Sequence, residues 1–342
     1  LLLFFKKEAL ASLLQTSRAT DLAIPAHHPY DFDPAHGFGL DELLAIRPPP
    51  APPGFDDFWR VRYAGARARD PQPRLRESGS GHPAWHVHDI TYTSTDDFQI
   101  GGWLLVPRGQ TVTRGLVVGH GYGGRDRPDF DMPVTDTAVL FPCFRGLSRS
   151  SRPPISSDPT WHVLHDIDKR DSYILGGCVE DLWLAVSALT SLYPELDGRI
   201  GYSGTSFGGG IGALALAFDR RIDRGHLVVP TFGNMPVWLS LPTVGSGHSV
   251  QNYRKRHPEV LKTLSLFDAA IAATRIEIPM LVAAARFDPA VAPPCQFSVA
   301  NALPAAKHHE TFILDAGHFD YPGSQEQHAL LSDKVRRFFR AT

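Results

Sequence analysis

The sequence of 342 residues holds only three cysteines and three methionines. Cys143, Cys178 and Cys295 are odd in number and far apart, so they supply neither a disulfide framework nor a CxxC metal site. No charge sign dominates: 34 Lys and Arg face 36 Asp and Glu, for a net charge of −2. That near-balance excludes the basic footprint of a dedicated nucleic-acid binder. The sequence has no run of about 18 apolar residues, the length that marks a membrane-crossing helix, and no internal repeat. Leu1 to Phe5 precede Lys6-Lys7, the reverse of the basic-then-apolar order of a secretory signal. A cytoplasmic location without membrane contact is therefore the expectation, and residues 1–25 carry no weight in the reading. What is plentiful is glycine and proline, 30 and 29 residues, which argues for many turns and against a long helical bundle.

The run Pro48 to Pro53 reads as a stiff, extended connector, followed by a helix from Asp56 to about Arg67. From His86 the grain changes. Ile90 to Thr93 and Ile100 to Val106 read as strands near a sheet edge. Gly115 to Gly119 and Thr137 to Phe144 are short apolar runs bounded by turn residues, the pattern of strands buried on both faces. A helix beginning at Asp181, a strand at Arg199 to Ser203 and a small-residue helix at Gly209 to Phe218 continue the alternation. Further strands follow at His226 to Pro230, Met280 to Ala285 and Glu310 to Asp315, with a closing helix at Ala329 to Arg340. Such alternation implies an α/β fold with a doubly wound, mostly parallel sheet. Residues 86–342 are read as one domain and residues 1–85 as an N-terminal extension packing on it. Residues 231–275 interrupt the rhythm as an insertion, whose Trp238 and Tyr253 are expected to wall a pocket.

Gly204-Thr205-Ser206-Phe207-Gly208 is the one G-x-S-x-G in the chain, placed between a predicted strand and a predicted helix. A sharp strand-to-helix turn exposes the serine hydroxyl, the flanking Gly204 and Gly208 allow the close approach, and Ser206 is the candidate nucleophile. A base and an orienting acid should follow in the order Ser, Asp or Glu, His. Of the later histidines only His318 lies just past a predicted strand. Asp288 ends the Met280 strand, and one helix and one strand fit between it and His318. Asp315 and Asp320 are the other acids considered, both too close in sequence to His318 to face its far nitrogen easily. The oxyanion needs two backbone N–H groups. Phe207, next after the nucleophile, supplies one, and Tyr122 in the loop His120-Gly121-Tyr122-Gly123-Gly124 supplies the other.

Rival signals are weaker. Gly208 to Ala213 matches a dinucleotide pattern, but its first glycine belongs to the serine turn and no acidic residue follows at the right distance. His162 and His165 with Asp166 and Asp168 read as loop residues rather than metal ligands. The expected chemistry uses no metal and no organic cofactor.

Together these residues resemble the cephalosporin C deacetylase and acetyl xylan esterase group, carbohydrate esterase family seven. The resemblance begins near Phe38-Gly39-Leu40 and runs to the C-terminus. It takes in Phe55 to Trp59, Gly101 to Pro107, His120-Gly121-Tyr122, Arg145-Gly146, Gly208 to Ile211, Leu264 to Asp268 and Ala292 to Pro294. It implies an α/β-hydrolase fold, a Ser206–Asp288–His318 triad and oxyanion donors at Tyr122 and Phe207. The implied activity is a serine carboxylesterase that removes short acyl groups, mainly acetyl, through an acyl-enzyme. Sugars, xylo-oligosaccharides and cephalosporin-like esters are the implied substrates, and a homo-oligomer, up to a hexamer, is the implied assembly. A broader short-chain or aryl esterase and an inactive binding protein of the same fold are the alternatives. A peptidase of the prolyl oligopeptidase type is disfavoured, because the residues before the hydrolase region are too few for a propeller.

Three departures from the family pattern stand out. Arg-Gly-Gln is here Arg145-Gly146-Leu147, Gly-x-Ser-Gln-Gly has Phe207 in place of Gln, and His-Glu is His318-Phe319. The joint loss of polar groups predicts one apolar cluster holding Phe207 and Phe319 beside Ser206 and His318, bordered by Leu147. Such a cluster would make the acyl pocket greasier and more tolerant of propionyl, butyryl or aryl esters.

Overall fold

The computed structural model describes residues 28–79, 81–305 and 308–340; the expectations for residues 1–25 lie outside them. Nine strands form one sheet: β1 (Arg74–Glu77), β2 (Trp85–Thr93), β3 (Gln99–Pro107), β4 (Arg114–Gly119), β5 (Thr137–Pro142), β6 (Ile200–Thr205), β7 (Ile222–Val228), β8 (Met280–Ala285) and β9 (His309–Leu314). Their spatial order is β1-β2-β3-β5-β4-β6-β7-β8-β9. The pairings from β1 to β5 are antiparallel, and those from β5 to β9 are parallel. β5 and β8 are buried at every residue. Their unbroken apolar runs reflect helices on both faces of the sheet. β2 instead alternates around buried Trp85, Val87, Ile90 and Tyr92.

One face carries helices α1 (Ile174–Leu192) and α2 (Phe207–Leu216), which join the larger core cluster. The other carries α3 (Ser324–Arg340), whose Leu331, Val335 and Phe339 meet Leu116, Leu281 and Ala283. The sequence predicts a start for α1 at Asp181, but the helix begins seven residues earlier, at Ile174. Its first turn holds Gly176 and Gly177. They are there for packing: an added Cβ would lie 2.4 Å from Arg62 Nη2 and 2.4 Å from Arg145 Nη1 respectively. The full 19-residue helix is apolar enough by composition to cross a membrane, yet 89% of its apolar window is buried inside the protein. α3 likewise starts at Ser324 rather than Ala329. Residues 231–275 hold four α-helices, from Met235–Trp238 to Ala269–Ala273, the longest being Gly245–Arg256, and two 3₁₀ turns.

The residues before β2 are tied to late parts of the chain. β1 extends the sheet beyond β2. Trp59 donates its indole N–H to Leu266 O at 2.8 Å. Asn301 donates its amide to Leu43 O at 2.8 Å and Ile46 O at 3.0 Å. Pro34 O accepts the backbone N–H of Asp288 at 3.1 Å. The strand β1 and the helix at Leu40–Ala45 are absent from the sequence reading, both being short, whereas Pro293–Ala302 is the helix expected between Asp288 and His318.

Candidate active site

Because β4, β6, β8 and β9 run parallel, the loops leaving their carboxyl ends meet at one edge of the sheet. β6 ends at Thr205, and Ser206 forms the turn into α2 with φ 54° and ψ −110°. A side chain is rarely held in that region without surroundings that fix it. Here Ser206 N–H donates to Val228 O at 2.8 Å, and Ser206 O accepts from Gly210 N at 3.0 Å and Thr231 N at 3.2 Å. The turn also needs a glycine at 208, where a Cβ would come within 2.8 Å of Gly119 C and His120 O.

His318 follows β9 and Asp288 follows β8, as the sequence predicts. His318 Nε2 lies 2.9 Å from Ser206 Oγ. His318 Nδ1 lies 2.8 Å from Asp288 Oδ2 and 3.0 Å from Oδ1. The carboxylate accepts at Nδ1, so the neutral ring carries its proton there and turns its lone pair on Nε2 to the serine. Burial works to lower the His318 pKa, but the charge and hydrogen bond of Asp288 overcome it and leave it above the usual histidine value. Asp315 and Asp320 make no hydrogen bond to the imidazole.

Asp288 is fully buried and accepts from Ala290 N and Val291 N, both at 2.9 Å, on Oδ1. Oδ2 accepts from Gln296 Nε2 at 2.8 Å. Gln296, absent from the sequence reading, is itself fully buried, donates to Val291 O at 2.7 Å and accepts from Ala285 N at 2.8 Å. It ties the acid to the end of its own strand. Gln296→Leu should orphan these groups at about 1–3 kcal/mol each. A urea melt should show the lost stability, and kcat should fall with KM little changed.

The loop after β4 carries Tyr122. His120 binds Gly121 O through Nδ1 at 2.7 Å and accepts from Phe144 N at Nε2, 3.1 Å away. Burial lowers the His120 pKa to about 4, so the ring stays neutral and pins this loop to the end of β5. Gly208 N donates to His120 O at 3.0 Å, joining the loop to the serine turn. Phe207 is the first residue of its helix, where N–H groups have no intrahelical acceptor. Among the described residues neither the Tyr122 nor the Phe207 amide has a hydrogen-bond acceptor.

The predicted apolar cluster does not form. Phe207 is fully buried in the larger core, stacked on Tyr122 with ring centroids 4.1 Å apart, and also meets Phe144 and Phe232. Phe319 belongs to a small separate cluster with Phe287, Ala316 and Tyr321, and its ring also meets Tyr30. The two rings fall in different hydrophobic clusters and share no aromatic partner among the described residues. Leu147 is buried on the Phe207 side. Trp238, 1% exposed, packs on Phe232. Tyr253 does line a cleft of about 730 Å³ with Trp161 and Leu164, which neither Ser206 nor His318 borders. Of the pocket candidates Leu147, Trp238 and Phe319, only half-buried Phe319 retains surface.

Arg145 and Gly146 act underneath the site rather than in it. Arg145 pairs with fully buried Asp181, Nη2 to Oδ1 at 2.7 Å, and its carbonyl accepts from His162 Nε2 at 2.9 Å.

A family model described as acetyl xylan esterase matches residues 35–332. The chain belongs to the acetyl xylan esterase family. It is a carboxylic ester hydrolase with the α/β-hydrolase fold. Acetyl xylan esterase 1 from Thermoanaerobacterium sp. JW/SL YS485 superimposes with a TM-score of 0.74 at 19% identity, covering 89% of this chain and 99% of that one. The acetyl xylan esterase from Paenibacillus sp. R4 gives 0.73 at 23% identity, covering 87% and 99%. The more distant Pyrococcus furiosus esterase Pf2001 gives 0.53 at 18% identity, covering 77% and 96%. In this esterase Leu147 and Phe207 are buried and Phe319 is half-buried.

Proposed function

We propose that this esterase works through a serine acyl-enzyme on short acyl esters, mainly acetyl, of sugars such as xylo-oligosaccharides. The observation that carries the reading is the unbroken relay from Ser206 Oγ to His318 Nε2, 2.9 Å, and from His318 Nδ1 to Asp288, 2.8 Å. Ser206 Oγ attacks the ester carbonyl carbon as its proton passes to His318 Nε2. The carbonyl oxygen becomes an anion held by the Tyr122 and Phe207 amides. The tetrahedral intermediate collapses, and the departing alcohol oxygen takes the proton back from His318. Water then repeats the sequence on the acyl-enzyme, releasing the acid and free Ser206. Asp288 orients the imidazole and stabilises its charged form without taking the proton.

The acetyl-sugar preference rests on the family and on the two neighbours named for acetyl xylan. The broader acyl tolerance loses one of its supports, since Phe207 is fully buried in the larger core. An organophosphonate ester should label Ser206, and an unlabelled serine would favour an inactive binding protein instead. Initial rates from acetyl to octanoyl esters, with acetylated xylan and cephalosporin C alongside, test the substrate class. The homo-oligomer remains part of the proposal, and light scattering at micromolar concentration tests it.

The base must be neutral, so kcat/KM should rise with pH and be lost as pH falls through the His318 pKa. Because Asp288 holds that pKa above the usual 6.5, the midpoint should lie above it as well. A profile that is flat from about pH 5 to 8 would count against His318 as base.

A further inference from the structure

We propose that His162 is a positioning residue for the oxyanion amides, acting through the Tyr122 hydroxyl. The proposal rests on the serine-esterase reading above. His162 is fully buried in the helix Pro159–His162. Its Nε2 lies 2.9 Å from Arg145 O, and its Nδ1 lies 3.1 Å from Tyr122 Oη. A carbonyl can only accept, so Nε2 carries the proton. Nδ1 is then the lone-pair nitrogen, and Tyr122 O–H donates to it. Burial lowers the His162 pKa to about 4, which keeps that acceptor available wherever the esterase works.

The neighbouring turn is shaped around the ring. Gly146 has φ 83°, and a Cβ there would lie 2.9 Å from His162 Cδ2. On the other side the Tyr122 ring stacks on Phe207 at 4.1 Å, and the His162 ring meets Phe207 edge-on at 6.1 Å. The two residues whose amides face the oxyanion thus lean on one another through their side chains. The hydroxyl bond to His162 sets where that pair sits. Histidines are commonly read as bases or ligands; this one has both nitrogens committed to holding its neighbours.

The test is a double-mutant cycle with Tyr122→Phe, which removes only the hydroxyl, and His162→Leu. Removing an oxyanion donor outright costs about 10²–10³ in rate, so displacing donors should cost about 10–10²-fold in kcat. Each single variant should lose that much with KM unchanged, and the double variant should lose no more than either. Inhibition by phenylboronic acid, which forms a tetrahedral anion on the serine, should weaken in step with kcat/KM. Wild-type kcat in Tyr122→Phe overturns the proposal, even if His162→Leu fails to fold. Multiplying losses overturn it too. Ser206→Ala run in parallel separates the two levels: if that variant keeps its activity, the underlying serine reading has failed instead.

Discussion

Ser206→Ala is expected to lower kcat on p-nitrophenyl acetate by roughly 10⁴–10⁶-fold, because members of such a relay act as a unit. The fold should survive. The hydroxyl makes one hydrogen bond, to His318 Nε2 at a solvent-exposed point, and the backbone bonds of the turn do not involve it. Alanine keeps the Cβ and so keeps the strain of φ 54°. Ser206→Gly removes that strain and should be equally inactive while melting higher than Ser206→Ala, by about 1 kcal/mol. Matching far-ultraviolet circular dichroism with lost turnover is the expected pair of results. A near wild-type rate in either variant would remove Ser206 from the mechanism.

The largest expected effect on stability is at Arg145. Its guanidinium binds Asp181 through Nε at 3.0 and 3.1 Å and through Nη2 at 2.7 Å, and reaches Ser94 at 3.1 Å and Thr95 at 2.8 Å. Burial opposes the charge, yet Asp181 more than offsets it and raises the Arg145 pKa. Arg145→Met leaves a fully buried carboxylate without its partner, at a cost of about 3–5 kcal/mol. Against a total stability of about 5–15 kcal/mol, that approaches unfolding. Adding Asp181→Leu should recover part of the loss, since the uncompensated charge then disappears. Recovery stays incomplete because Ser94 Oγ and Arg145 N, at 2.6 and 2.9 Å from Asp181, lose their acceptor. Urea denaturation of the single and the double variant measures all of this. A single variant within 1 kcal/mol of wild type would contradict the buried-pair argument.

The parts legible in the sequence are those that depend on local pattern. β4, β5 and β8 are apolar runs bounded by turns, and Ser206, Asp288 and His318 each sit just past a strand, β6, β8 and β9. Parallel strands bring those ends together, so sequence position alone locates them. Gln296 and His162 were illegible because their roles come from partners set by tertiary packing, Asp288 and Tyr122. Phe207 was misplaced for a different reason. Beside the nucleophile it lies in the serine motif, yet by helical spacing it belongs with Ile211 and Leu214 to an apolar stripe facing the core. Phe319 lies instead on a loop covered by Tyr30, from a segment whose contacts no local pattern announces.

The hydrogen bond from Asn301 to Leu43 spans 258 residues of sequence, and that from Trp59 to Leu266 spans 207. A ribosome adds about 5–20 residues per second, so Leu43 waits roughly 13–50 s for Asn301 to be made. Through that interval Leu43, Phe55 and Trp59, all buried in the finished protein, lack late-made partners. The first part of the described chain to be synthesised is thus among the last to be secured. Slow translation would prolong the exposure of these apolar groups, making the early segment a place where a nascent-chain chaperone or an off-pathway contact acts first.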